Sequence, residues 1–151
     1  MPSFQPVPSR HHARIVGSRT LLPAGGTLDR MKATTIEARV RALCLALPEV
    51  TEKPSHRAPA FFVKKQFLAL WNNGHHDNQF PHFWCAAPLG AQEELVETDP
   101  ARFFRPPYVG GRGWIGVRLD RGVDWDEIAA ICEDAYRVVA PPKLVARLDA
   151  G

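Results

Sequence analysis

The pattern of residues 31 to 151 predicts an α+β domain in which an antiparallel sheet packs against helices. Three observations carry that reading: helical periodicity opening on a capping sequence at Thr34, a group of short β-rich runs between residues 61 and 119, and an amphipathic, capped stretch from Asp124. With 151 residues, 45% of them hydrophobic, the chain can bury one core and carry a tail.

The elements follow in chain order. Thr34 offers its hydroxyl to a helix N-terminus and Glu37 stands three residues on, the spacing of a capping box; Ile36, Val40, Leu43 and Leu47 then recur at helical intervals. Pro48 stops that helix, and Glu49 to Pro59 reads as a loop. Phe61 to Val63 and Gln66 to Trp71 flank Lys64-Lys65 as the strands of a tight hairpin with a lysine tip. Asn72 to Gln79 is a polar loop, Phe83 to Ala86 a third short strand, and Ala91 to Thr98 a helix. Asp99 before Pro100 reads as an N-cap and first-position pair that starts a short turn through Phe103. In the strand from Trp114 to Leu119, Ile115, Val117 and Leu119 point toward a core while Trp114, Gly116 and Arg118 share the other face. Asp124 caps the next helix, Glu127 completes its box, and Trp125, Ile128, Cys132, Ala135 and Val139 form the buried stripe. Pro141-Pro142 interrupts before a last short helix over Lys143 to Leu148.

Residues 1 to 30 stand apart as a disordered basic tail, since Pro2, Pro6, Pro8, Pro23 and the Gly25-Gly26 pair oppose a long helix. Met31-Lys32-Ala33 leads straight into the capping sequence and reads as a functional start. No stretch approaches the roughly 20 apolar residues of a membrane helix, so no membrane association is expected and a cytoplasmic location is the default. Cys44, Cys85 and Cys132 are widely spaced, which points to buried thiols instead of a disulfide framework or zinc ribbon.

The net charge of +3 resides in the tail, where Arg10, Arg14, Arg19 and Arg30 face Asp29 alone; residues 31 to 151 carry 15 basic and 15 acidic groups. A high isoelectric point is therefore weak support for nucleic-acid binding. Charge is nonetheless segregated within the domain. Lys53, Arg57, Lys64 and Lys65 lie in an acid-free stretch, as do Arg102, Arg105, Arg112 and Arg118, while Asp124, Asp126, Glu127, Glu133 and Asp134 crowd one helix.

The most informative stretch runs from Arg105 to Asp120. Pro106 and Pro107 fix the approach, and Gly110, Gly111 and Gly113 permit positive φ, so that Arg112 can project from a tight loop. Arg112, Trp114 and Arg118 share one parity, and a face of that composition suits a planar or anionic partner.

Three motifs resemble the MmcQ/YjbR-like family: Ser55-His56-Arg57-Ala58-Pro59-Ala60-Phe61; Pro107-Tyr108-Val109-Gly110 with Gly113-Trp114-Ile115-Gly116-Val117; and Val123-Asp124-Trp125. The resemblance covers about residues 32 to 148 and departs at Arg57, where a glycine is common after the histidine. It implies a CyaY-like (frataxin-like) two-layer sandwich and a "double wing" that binds DNA. The wings would be the Lys64-Lys65 hairpin and the Tyr108 to Gly113 loop. On that reading Lys64, Lys65, Arg112 and Arg118 neutralise phosphates of double-stranded DNA and Trp114 packs on a sugar or base.

Catalytic patterns are sparse. Ser55 is the one serine after residue 31, no Gly-x-Ser-x-Gly elbow exists, and the glycines at 110 to 113 lack a Walker lysine or dinucleotide fingerprint, so no enzyme activity and no cofactor are expected. His75, His76, Asp77 and His82 have ligating chemistry without the spacing of a built site, and no metal is expected. His56 either contacts phosphate or hydrogen-bonds its own loop, and Tyr108 serves a ligand or the core. Two function classes lead: a non-catalytic, phosphate-directed DNA-binding module, and a small-ligand or protein-interaction module using the Arg112, Trp114 and Arg118 face. An enzyme with His56 as acid or base is the third.

Overall fold

The computed structural model of the protein describes residues 25–75 and 78–151, with the backbone alone for residues 25 to 34. Helix α1 spans Gly25–Leu45, so Thr34 lies within it instead of capping its start. Of the expected tail, residues 1 to 24 lie outside the described residues. Strands β1 (Thr51–Ser55), β2 (Ala58–Val63), β3 (Lys65–Trp71) and β4 (His82–Cys85) follow, then α2 (Ala91–Thr98), β5 (Phe103–Phe104), a 3-10 turn (Gly110–Arg112) and β6 (Ile115–Arg118). Helices α3 (Trp125–Val139) and α4 (Pro142–Ala150) close the chain.

The six strands form one antiparallel sheet in the order β1-β2-β3-β4-β6-β5. An α+β arrangement is therefore what the chain adopts. Strand β1 replaces part of the expected Glu49–Pro59 loop. Its sequence, Thr-Glu-Lys-Pro-Ser, shows no apolar alternation because it is an edge strand with mostly exposed residues, where proline costs no central ladder bond.

Register assigns the two faces. Leu68 pairs with Cys85, Cys85 with Ile115, and Phe83 with Leu70 and Val117, so these residues share the face that buries against α1 and α3. Val40 and Cys44 from α1, with Ile128, Cys132, Ala135 and Tyr136 from α3, complete that core. Tyr136 packs edge-on to Phe67 with ring centroids 5.9 Å apart, and its hydroxyl donates to the Pro48 carbonyl at 2.9 Å. A polar atom is thereby buried with its hydrogen bond made.

Asp99 starts the expected short turn, its carbonyl accepting from the N–H groups of Arg102 and Phe103, both at 3.1 Å; it also ends α2, donating its own N–H to Leu95, and its carboxylate accepts from Arg102 Nε at 2.7 Å. Asp124 does cap α3, accepting from the Asp126 N–H at 3.1 Å, but Glu127 does not reach back to complete a box. Glu127 instead accepts from Arg102 at 2.6 Å, so one guanidinium ties the turn after α2 to the first turn of α3. Among the described residues no helix is long and apolar enough to cross a membrane.

Candidate functional site

The sheet face opposite α1 and α3 carries a layer of rings. Ala69 pairs with Trp84, Trp84 with Gly116, Trp71 with His82, and His82 with Arg118, so all share this face. A bulge brings Gln66 to the same side: Phe61 pairs with Leu68 and Phe62 with Gln66, leaving Phe67 as the extra residue. Rings then contact in sequence, His75 to Trp71 at 4.1 Å between centroids, Trp71 to Trp84 at 5.0 Å, and His82 to Phe104 at 5.4 Å. Gly116 makes room for this layer, because a Cβ there would overlap the Phe104 ring.

One end of the layer opens into a cavity of about 570 Å³, a size typical of small-molecule sites. Trp71, Trp84, Trp114, Tyr108 and His75 supply its aromatic walls, and Ser55, His56, Gln66 and Arg112 its polar groups. Trp71 and Trp84 each bury an indole Nε1–H that has no hydrogen-bond partner among the described residues. Both differ from the helix-covered face, where the buried Tyr136 hydroxyl has its partner.

Three loops deliver the polar groups. His56 (φ 53°) and Arg57 (φ 69°) link the paired residues Ser55 and Ala58, a two-residue turn of the I′ kind in which both central residues are left-handed. That turn sets His56 and Ser55 on the cavity wall, and Arg57 occupies a conformation that glycine would adopt more cheaply. Tyr108 (φ 65°) stands at the rim with 77% of its surface exposed, 6.3 Å from Trp84. Gly113 (φ 86°) ends the 3-10 turn and returns the chain to β6, while Arg112 folds back to 5.2 Å from the Trp114 ring centroid.

Behind the glycine loop lies Gln92, a residue the sequence reading passes over. Its buried Nε2 donates to the carbonyls of Gly110 (2.8 Å) and Trp114 (2.6 Å), and its Oε1 accepts from Arg105 at 2.9 Å. A single amide thus fixes both ends of the segment that carries Arg112. The only sequence signal was a polar residue on a helix flanked by Leu95 and Val96, too common a pattern to mark a site.

The expected site residues separate into three places. His56, Tyr108, Arg112 and Trp114 converge on the cavity. Lys64 and Lys65 are exposed at the β2–β3 turn, with Lys64 at φ 70°. Arg118 belongs to neither group: its guanidinium lies 3.7 Å from the Phe80 ring centroid and donates to both Asp120 carboxylate oxygens, at 2.9 and 2.7 Å. This contact holds the Asp120 carboxyl below its ordinary range. Trp114 also differs from the surface position its parity suggested, since only 6% of it is exposed. Parity identified the face correctly; the turn holding Arg112 covers the ring.

His82 is buried, its Nδ1 2.7 Å from the Phe80 carbonyl and its Nε2 without a partner among the described residues. Burial lowers its pKa below the ordinary 6.5, so it is neutral at physiological pH. Among the described residues no group of three or more potential metal ligands comes together; His76 and Asp77 lie outside them. All three cysteines are buried and free. A hydrogen bond to Cys132 pushes the Cys44 thiol up and burial does the same to Cys85, conditions that suppress thiolate chemistry.

A six-stranded antiparallel sheet with helices on one face and an aromatic cavity on the other defines an α+β protein with a preformed pocket. The profile of the YjbR family matches residues 45–138, and the chain belongs to that family. The fold is similar to the crystal structure of a Deinococcus radiodurans protein of domain family DUF419, with a TM-score of 0.55 and 18% sequence identity over 66% of this chain and 74% of that one. Comparison with curated proteins gives no match.

Proposed function

We propose that this YjbR-family chain is a non-catalytic binding module whose working site is the aromatic cavity, and that the cavity takes a planar group. The observation that carries the reading is the convergence of three of the four tryptophans, with Tyr108 and His75, on one space of about 570 Å³. Stacked rings supply broad dispersion contact, and the few polar groups among them orient a guest. The lining favours binding over catalysis. Ser55 and His56 are consecutive residues at a tight turn, and among the described residues no carboxylate lines the cavity to orient a histidine base.

Indole N–H resonances test the reading directly. On titration with 2-naphthylmethanol, the Nε1–H signals of Trp71, Trp84 and Trp114 should shift together and saturate, while that of Trp125, at the start of α3 beneath Arg39, stays in place. Shifts spread evenly over all four, or no saturable shift, would refute it.

A second reading, contact with duplex DNA through two wings, draws support from the exposed Lys64 and Lys65 at the hairpin turn and from Arg112. Arg118 contributes little to it, being already neutralised by Asp120. Charge reversal at Lys64 and Lys65 together should weaken DNA binding and flatten its salt dependence by about 0.9 log-log units per lost phosphate contact. An unchanged slope removes this reading.

A further inference from the structure

We infer that the cavity selects an aromatic acid: a flat ring enters between the indoles and its carboxylate or comparable anion meets Arg112, while the same ring bearing a quaternary ammonium is rejected. This rests on the cavity being the binding site and adds the charge of its guest. An aromatic-walled pocket ordinarily suits cations, because ring faces attract positive charge. Two observations reverse that expectation here.

First, the chain places its own cation on the wall. The Arg112 guanidinium lies 5.2 Å from the Trp114 ring centroid, so a second positive group entering beside it meets repulsion at the ring that would have attracted it. Among the described lining residues the remaining ionisable side chains are His56, His75 and Tyr108, and none is a carboxylate that would offset a ligand cation.

Second, Arg112 is the arginine among the described lining residues; Arg39, Arg57 and Arg105, like it, lack a carboxylate partner among the described residues, but they do not line the cavity, and further arginines are paired. Arg41 is held by Glu37 and Glu52, Arg102 by Asp99 and Glu127, Arg118 by Asp120, and Arg147 by Glu49. Among the described residues Arg112 has no carboxylate partner, yet its position is fixed by the Gln92 bonds to Gly110 and Trp114 on either side of it. A guanidinium that is stacked, positioned and left without an anion is arranged for a planar acid, which its donor fork can take with two parallel hydrogen bonds.

Three naphthalene probes of one ring and different charge decide the matter by calorimetric titration of the full chain: 2-naphthoate, 2-naphthylmethanol and (2-naphthylmethyl)trimethylammonium. The expected result is naphthoate bound at least tenfold tighter than the alcohol, the cation weakest of the three, and, within Arg112→Gln, naphthoate bound no tighter than the alcohol. Arg112 is exposed, so the variant should keep its fold, checked by near-ultraviolet circular dichroism. Equal affinity for all three probes, or preference for the cation, overturns the charge assignment while the cavity reading stands. Naphthoate preference that survives Arg112→Gln overturns it too, by placing the anion elsewhere. Failure of every probe to bind overturns both.

Discussion

The two faces of the sheet bury comparable chemistry to different ends. Against α1 and α3, Leu68, Leu70, Phe83, Cys85, Ile115 and Val117 meet apolar side chains, and the one hydroxyl that enters, that of Tyr136, has its partner. On the opposite face lie Trp71, Trp84 and His82, each with a buried nitrogen that lacks a hydrogen bond among the described residues. One face gains from complete packing; the other accepts unpaired polar atoms and an open cavity. The difference supports the proposed placement of the binding site on the second face, since packing for stability favours paired polar atoms and filled space.

Substitutions on the two faces should therefore fail differently. The largest effect is expected from Phe83→Ala on the helix-covered face, a loss of about 3–5 kcal/mol in denaturant unfolding from the cavity it leaves. Trp71→Ala on the other face, where the ring is only half-buried, should cost less stability and abolish probe binding. If the two variants lose stability equally, the distinction between faces is wrong.

Gln92→Leu comes next, at about 1–3 kcal/mol, because it strands two buried carbonyls and Arg105. It should also weaken naphthoate binding without touching the cavity wall. Unchanged affinity would mean that the glycine loop holds its shape unaided.

The pH dependence of stability should report on His82. Below the ordinary pKa of 6.5 the unfolded chain takes up a proton that the folded chain, with its lowered pKa, refuses. The contribution is thus complete above pH 6.5 and shrinks as pH falls from there toward the lowered folded value, by at most about 1.4 kcal/mol per pH unit for one proton. His82→Asn should be less stable at pH 7.5 and flatter in that window; a parallel pH profile would show that His82 does not titrate with unfolding.

The smallest effect is a gain. Arg57→Gly should stabilise by less than about 1 kcal/mol, as relief of left-handed strain at φ 69° is partly offset by the entropy glycine brings to the unfolded chain. A loss would mean that the Arg57 side chain makes contacts worth more than its strain.

Much of the fold was legible from local pattern. The β2–β3 hairpin, the Ala91–Thr98 helix, the Asp124 cap and the burial of Ile128, Cys132 and Ala135 follow from period, capping and turn chemistry, which act over a few residues. Edge strand β1 was not legible, since a strand exposed along one side needs no apolar alternation. The role of Glu127 was misread for a related reason: its capping position is local, but Arg102, a partner 25 residues away, takes the carboxylate.

The candidate site divides along the same line. Sequence by itself determined that Trp114, Gly116 and Arg118 share a face and that Arg112 projects from a glycine loop, because backbone parity and turn preference belong to the chain's own geometry. Tertiary structure alone decided what covers that face. Phe104, 12 residues before Gly116, fills the space a side chain would need; Asp120 claims Arg118; Trp71 and Trp84 come from two other strands to meet Trp114; and Gln92 anchors the loop from a helix. Parity says which way a side chain points, but whether it meets solvent, a partner or a cavity depends on segments far away in sequence, and only their packing brings those groups together.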